Sequence, residues 1–161
     1  MPWKLKLGAA AAPGSARKAR LATLATTIVA ALCGHLENGD AAQPINDISH
    51  IAFGDEALAQ RGFSLRYTGT GLALTKTAND GWALLHETLF GAAQDEGNAL
   101  LSLLGGAAVA ALAYAVDFHL VPPRLTPGFE KHLSKRSLLA IYCVLALALG
   151  LGGGNKGAPA Q

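Results

Sequence analysis

Charged residues are scarce in this chain of 161 residues: they make up 15% of it, while hydrophobic residues make up 51%. Soluble domains usually carry about a quarter charged residues, so the chain lacks the polar surface that would cover a water-soluble globule. The net charge is only +2, and no strongly basic surface indicates nucleic acid as a partner. The composition therefore predicts a small membrane protein whose main partner is the lipid bilayer.

Cysteine is also rare, with only Cys33 and Cys143. Each lies within an apolar run, which favours two small hydrophobic side chains over a disulfide. The sequence has no CxxC motif and no Cys/His spacing typical of a metal site. No cofactor and no metal site are predicted.

Motifs for catalysis are missing as well. Ser49 and His50 are adjacent in sequence, which does not make a hydrogen-bonded dyad, and there is no G-x-S-x-G elbow. Gly69 and Gly71 form a G-x-G fragment without a third glycine or a preceding strand. We therefore expect no enzymatic activity.

Long apolar runs are what the sequence has instead. Residues 98–121 contain no Lys or Arg, and residues 137–153 contain no charge at all. At about 1.5 Å per residue, a helix over the first run can cross a hydrocarbon core of about 30 Å. Residues 21–36 form a shorter apolar run. Arg20 beside it can extend to the membrane interface.

The chain divides into a basic N-terminal tail (1–20), one helical membrane domain (21–153) and a flexible tail (154–161). Pro13-Gly14 is expected to break any early helix. Within the membrane domain, 37–66 is a polar loop, and the apolar spacing in residues 45–53 predicts a short helix lying as a lid on the membrane part. An uncleaved first helix is favoured over a cleaved signal peptide, because Leu32 stands before Cys33 where lipoprotein processing needs a small residue.

The segment 67–90 is ambiguous, because it is long enough to span a membrane yet contains charged residues. A helical projection places its polar residues on one stripe, predicted to face inward if the segment spans. The stripe consists of Lys76, Asn79, Asp80, His86 and Glu87. Lys76 and Asp80 are spaced to pair with each other.

The number of spans stays open between three and four. With four spans, Lys and Arg divide evenly between the two sides, whereas an external 67–90 helix places both large basic clusters on one side, as the positive-inside rule prefers. The short connection at 91–98 is typical of an antiparallel helix pair and favours four. We expect an all-α membrane protein, a small bundle of about four hydrophobic helices.

Several short segments carry a resemblance: PIN at 44–46, SH at 49–50, FGDEA at 53–57, SLRYTGTG at 64–71, VDFHLVP at 116–122 and RLTPGFE at 124–130. Over residues 44–150 the chain resembles an uncharacterised group of small multi-pass bacterial inner-membrane proteins. The resemblance implies that location and no activity. The group is expected to carry a histidine pair early in its second helix, where this chain has Thr75-Lys76. This difference argues against a metal or haem site built from histidines.

The sequence thus predicts a structural or interaction component of the bacterial inner membrane, in contact with other membrane proteins or with itself. One alternative is a small channel or transporter that uses the Lys76/Asn79/Asp80 stripe, with Asp117 and His119 as partner groups. A second alternative is a haem- or metal-binding subunit that uses His86 and His119. Helix contacts are expected at Gly105, Gly106 and Ala110, which follow a small-xxx-small spacing.

Overall fold

The computed structural model describes residues 12–153 and is largely helical. Its helices are α1 (Ala12–Asn38), α2 (Gln43–Ile48), α3 (His50–Phe53), α4 (Tyr67–Asp95), α5 (Ala99–Ala115) and α6 (Lys135–Leu151). Short 3-10 turns cover 55–59, 123–125 and 129–131, and a π-helical turn covers 116–120. No strand occurs among the described residues, and the predicted all-α fold is confirmed.

The four long helices run antiparallel to their neighbours. α1 and α5 each pack against both α4 and α6. Lys18, early in α1, contacts Glu87, late in α4, while Ser102, early in α5, donates a hydrogen bond to the Gly150 carbonyl near the end of α6. The segments 39–66 and 116–134 therefore lie together at one end, which we call the cap. The connection 96–98 lies at the opposite end.

Helix α1 begins earlier than the sequence suggests. Pro13 lies in its first turn, where the N–H that proline lacks would have no partner in any case. Residues 12–20 of the predicted N-terminal tail consequently belong to α1. The other residues of that tail and the predicted tail 154–161 lie outside the described residues.

Small residues allow the long helices to approach closely. A Cβ on Gly105 would lie 2.4 Å from Phe90 Cγ of α4, and a Cβ on Gly106 would lie 2.3 Å from the Ala146 carbonyl oxygen of α6. Ala110, one turn further along α5, is buried. The structure thus places the three predicted packing residues in the tightly packed interior.

Large apolar side chains cover much of the outer surface. Two helical segments, Gly14–Asn38 and Ala99–Leu120, are long and apolar enough to cross a membrane. The exposed side chains along the long helices are mostly leucines: Leu21, Leu24, Ile28, Leu32 and Leu36 on α1, Leu72, Leu84 and Leu89 on α4, Leu100, Leu101, Leu104 and Leu112 on α5, and Leu139, Leu147 and Leu151 on α6.

Candidate functional site

The predicted polar stripe of α4 divides into two groups. Asn79 and His86 are buried against the other long helices. The side chains of Lys76 and Asp80 point outward, 60% and 48% exposed, with Nζ and Oδ2 2.6 Å apart. The stripe does not face inward as a whole, because it is wider than the arc of α4 that the neighbouring helices cover.

A buried charge cluster joins α1 to α4. Lys18 is fully buried, and its Nζ lies 2.6 Å from Glu87 Oε2 and 3.1 Å from His86 Nδ1. Since an ammonium group only donates, His86 Nδ1 accepts, and Nε2 carries the proton that it donates to the Ser102 carbonyl of α5 at 2.9 Å. Both ring nitrogens of His86 are therefore occupied.

Lys18 was assigned to the N-terminal tail by sequence, so this cluster was missed. The sequence carried one signal: a small residue stands at every fourth position, at Ala22, Thr26, Ala30 and Gly34, with Lys18 one step before the first. The structure buries all five positions. The series of small residues along this face continues back to the lysine, which marks Lys18 as facing the same neighbours.

Two further polar contacts lie deeper among the helices. Asn79 Nδ2 of α4 donates to Thr26 Oγ1 of α1 at 3.3 Å. Tyr142 of α6 donates its hydroxyl proton to Asp117 Oδ2 in the π-helical turn after α5. Each contact links side chains of different helices and gives their polar atoms a partner away from water.

His86 and His119 do not form a joint site. His86 bonds to Ser102, whereas His119 is exposed at the cap, 17 residues further along α5 and its π-helical turn. At about 1.5 Å per residue the two levels lie roughly 25 Å apart, too far for one metal ion or one haem iron. Within residues 12–153, no group of three His, Cys, Asp or Glu side chains is arranged to hold a metal ion. The structure therefore does not bring together the two histidines of the predicted haem- or metal-binding alternative.

A cavity of about 320 Å³ lies between the helices on the cap side. Its walls come from α1, α2, α3, α4, α6 and the segment 117–129, and they are mainly apolar. Thr77, Ala78 and Leu125 belong both to the wall and to the exposed surface, so the cavity opens beside α4. We call this opening the mouth. The polar side chains in the wall include Thr26, Thr75, Asn79, Asp117 and Tyr142.

The cap contains a second buried acidic group, Asp47. Its Oδ2 accepts a hydrogen bond from His132 Nδ1 at 2.9 Å, and His50 Nδ1 donates to the Asp47 carbonyl at 2.9 Å. Burial raises the pKa of Asp47 from 3.8 to about 6, although the hydrogen bond from His132 counteracts part of this rise. Among the described residues, Asp47 Oδ1 and His50 Nε2 have no hydrogen-bond partner.

The serine beside His50 has a structural role. Ser49 Oγ donates to the Asn46 carbonyl, and Asn46 in turn holds Thr68 at the start of α4 and the loop carbonyls of Gln60 and Gly62. These bonds tie α2 to α4 and to the loop. The arrangement explains why SH at 49–50 does not form a nucleophilic dyad.

Comparison of this chain with protein-family models, with curated proteins and with solved structures finds no match.

Proposed function

We propose that this chain is a multi-pass protein of the bacterial inner membrane, folded as a four-helix bundle, and that it acts as a structural or interaction component without catalysis. The apolar outer faces of all four long helices support a lipid environment. The antiparallel packing of α4 along α1 supports four spans rather than three, because both ends of α4 then reach opposite membrane surfaces.

The observation that carries the interaction role is the outward Lys76–Asp80 pair of α4. Against lipid, two partly exposed charges in mid-helix are costly, and the nearby positions Ala73 and Gly81 are small and exposed. Small residues with a polar pair are typical of contacts between membrane helices. We propose that this α4 face contacts a second copy of the chain.

A two-fold axis parallel to the membrane normal suits this contact. It brings the same face of both copies together, so that Lys76 of each copy reaches Asp80 of the other. The ion pair that Lys76 and Asp80 form within one copy is then replaced by two ion pairs between the copies. This dimer removes the one outward ion pair in the middle of the α4 face from lipid.

Cysteine crosslinking in membranes tests the contact. In a chain with Cys33→Ala and Cys143→Ala, Gly81→Cys places a thiol on the α4 face, where no atom lies within 4 Å of the new Cβ. We expect a disulfide-linked dimer from this variant. The control is Leu104→Cys on the exposed face of α5. Equal crosslinking of both variants, or none from Gly81→Cys, contradicts the proposed interface.

A second candidate function, passage of protons through the bundle, is favoured by the inward polar groups. Glu87, Asn79 and Asp117 lie at successive levels along the helices, with the cavity between the last two. Buried ionisable groups in membrane bundles commonly mark proton or ion routes. The sequence predicted a route along Lys76, Asn79 and Asp80. The route proposed here keeps Asn79 and uses the inward groups of Glu87 and Asp117 in place of the outward Lys76 and Asp80.

Proton flux into liposomes tests this candidate. Passage through the bundle predicts a flux that Glu87→Gln and Asp117→Asn each reduce at least about tenfold, since each removes a titratable relay group. Asp80→Asn, on the outer face, should leave the flux unchanged. A flux no greater than that of protein-free liposomes contradicts the proton route.

A further inference from the structure

Among the described residues, the cavity wall has no charged hydrogen-bond donor. Four of its hydroxyl groups already donate within the protein, and the Thr27 hydroxyl and the Trp82 indole N–H are the other neutral donors beside Asn79. The hydroxyl groups of Thr26, Thr75 and Thr77 donate to main-chain carbonyls of their own helices, at 2.7, 2.9 and 2.9 Å respectively. The Tyr142 hydroxyl donates to Asp117. These protons are already used, while the oxygen lone pairs remain able to accept.

The acidic group in the wall strengthens this preference. Asp117 Oδ2 is bonded to Tyr142, and the carboxyl group remains part of the cavity wall. An anionic head group would meet a carboxyl group and no charged donor in this wall. A group that donates a hydrogen bond would find the Asp117 carboxyl group and the Tyr142 oxygen together.

The rest of the wall fits a slim apolar body. Most wall side chains are apolar, among them Ile48, Leu74, Phe129 and Ile141. The volume of about 320 Å³ lies at the small end of ligand cavities, which span roughly 300–1,000 Å³. Leu125, one of the residues at the mouth, is itself an exposed apolar side chain. In the proposed membrane location this apolar surface faces lipid, so a ligand would enter the mouth from the bilayer.

We infer that the cavity binds an uncharged amphiphile from the membrane, a slim apolar chain bearing a hydroxyl group that donates to the Asp117–Tyr142 pair. An ammonium head is less suitable, because removing its charge from water costs several kcal/mol and only one carboxyl group lines the cavity. This inference rests on the membrane location proposed above and adds the ligand class. It requires no covalent step.

Trp82 lies in the cavity wall and provides the readout. The chain has two tryptophans, Trp3 and Trp82, so Trp3→Phe leaves Trp82 as the sole indole fluorophore. The purified full-length W3F protein in detergent micelles is titrated with 11-bromoundecanol, with its methyl ether and with 11-bromoundecanoate. Each probe carries a bromine that quenches indole fluorescence when it enters the cavity.

We expect saturable quenching by the alcohol at about fivefold lower concentration than by the ether, the effect of one net hydrogen bond. The carboxylate should bind still more weakly.

In D117L/Y142F both polar partners are replaced together, so no buried hydroxyl is left unpaired, and alcohol and ether should become equal. Ala78→Phe at the mouth should abolish saturable quenching. Equal quenching by all three probes in W3F, or an alcohol preference that survives D117L/Y142F, overturns the ligand assignment.

A separate quencher distinguishes failure of the ligand assignment from failure of the membrane location. Acrylamide stays in water, so in lipid vesicles Trp82 should be quenched by bromoalkyl probes and protected from acrylamide. Efficient acrylamide quenching without any bromoalkyl quenching contradicts the membrane location as well. Protection from acrylamide with equal quenching by the three probes contradicts only the proposed hydroxyl-bearing ligand.

Discussion

Lys18 carries its ammonium group into the interior of the helices, where it is fully buried. Its contacts with Glu87 and His86 compensate for the loss of water. Removal of the lysine would leave the Glu87 carboxylate without its cation. Loss of the lysine alone is therefore expected to weaken the contact between α1 and α4.

Lys18→Met tests this dependence. We expect the free energy of unfolding to fall by about 3–5 kcal/mol, the usual effect of breaking a buried ion pair. Arg17→Met, at an exposed position of the same turn, should change it by no more than about 0.5 kcal/mol. Thermal unfolding in detergent, followed by circular dichroism, measures both. K18M/E87Q should recover much of the loss, and equal effects of K18M and R17M would contradict the account of this cluster.

Asp47 makes the stability of the cap depend on pH. Its folded-state pKa is raised to about 6 from 3.8, so the folded chain keeps this proton over a range in which the unfolded chain has lost it. The contribution of Asp47 to the free energy of unfolding is therefore greatest below about pH 4 and decreases as the pH rises through about 6, by up to roughly 3 kcal/mol.

Asp47→Asn removes this titration. We expect the difference in free energy of unfolding between wild type and D47N to shift in favour of D47N between pH 4 and pH 7, since the amide never ionises. Thermal unfolding across that pH range measures the difference. Asp55→Asn, at an exposed position of the same segment, should keep the wild-type dependence. A wild-type minus D47N difference that stays constant with pH would contradict the effect of burial on Asp47.

At the scale of elements, α4 meets α2 through one glycine. A Cβ on Gly71 would lie 1.9 Å from the Ile45 carbonyl oxygen, which is main chain and cannot rotate away. The short helix of the cap therefore depends on the absence of a side chain at this position of α4. Gly81, two to three turns later on the same helix, has nothing within 4 Å of the equivalent Cβ.

Substitution of Gly71 and of Gly81 by alanine should change the free energy of unfolding in opposite directions. Gly71→Ala should lower the free energy of unfolding by about 1–3 kcal/mol, because α2 must move to relieve the clash. In the monomer, Gly81→Ala should raise it by up to about 1 kcal/mol through helix propensity alone. Unfolding of the two variants under identical conditions measures both signs. A stabilising Gly71→Ala would contradict the close approach of α2 to α4.

The elements could be predicted from the sequence where the pattern is local. The apolar runs at 98–121 and 137–153 contain α5 and most of α6, and the spacing in 45–53 predicts helix where α2 and α3 lie. The start of α1 was predicted wrongly, because Pro13-Gly14 is typical of a helix break and also of a first turn. Helical periodicity predicted which residues form the polar stripe of α4. It did not predict which of those residues the other helices cover.

The candidate sites depend on contacts that no local pattern reports. Asp47 and His132 are 85 residues apart in sequence, and Lys18 and Glu87 are 69 residues apart. The cavity is formed by walls from five helices and a loop. Asp117 and His119 were singled out from the sequence as partner groups, whereas Tyr142, the hydrogen-bond partner of Asp117, was not. Such sites follow from packing rather than from spacing.

At the scale of the whole molecule, the distribution of charge fits a bundle in a bilayer. The exposed Arg61, Arg66, Arg124 and Lys131 lie at the cap, while Arg17 and Arg20 lie at the opposite end. Between the two ends the outer surface is mainly leucine. Four spans are the arrangement in which α4 keeps its contacts with α1 and α5 within the membrane.

Cysteine accessibility tests the four-span proposal most directly. In the full-length C33A/C143A chain, Phe63→Cys, Glu96→Cys and Arg124→Cys each place one thiol at an exposed position outside the long helices. Each variant is labelled in membranes with an impermeant maleimide. Four spans predict that Phe63→Cys and Arg124→Cys react from one side of the membrane and Glu96→Cys from the other. Labelling of Phe63→Cys and Glu96→Cys from the same side would show that α4 does not cross the membrane and would contradict the account.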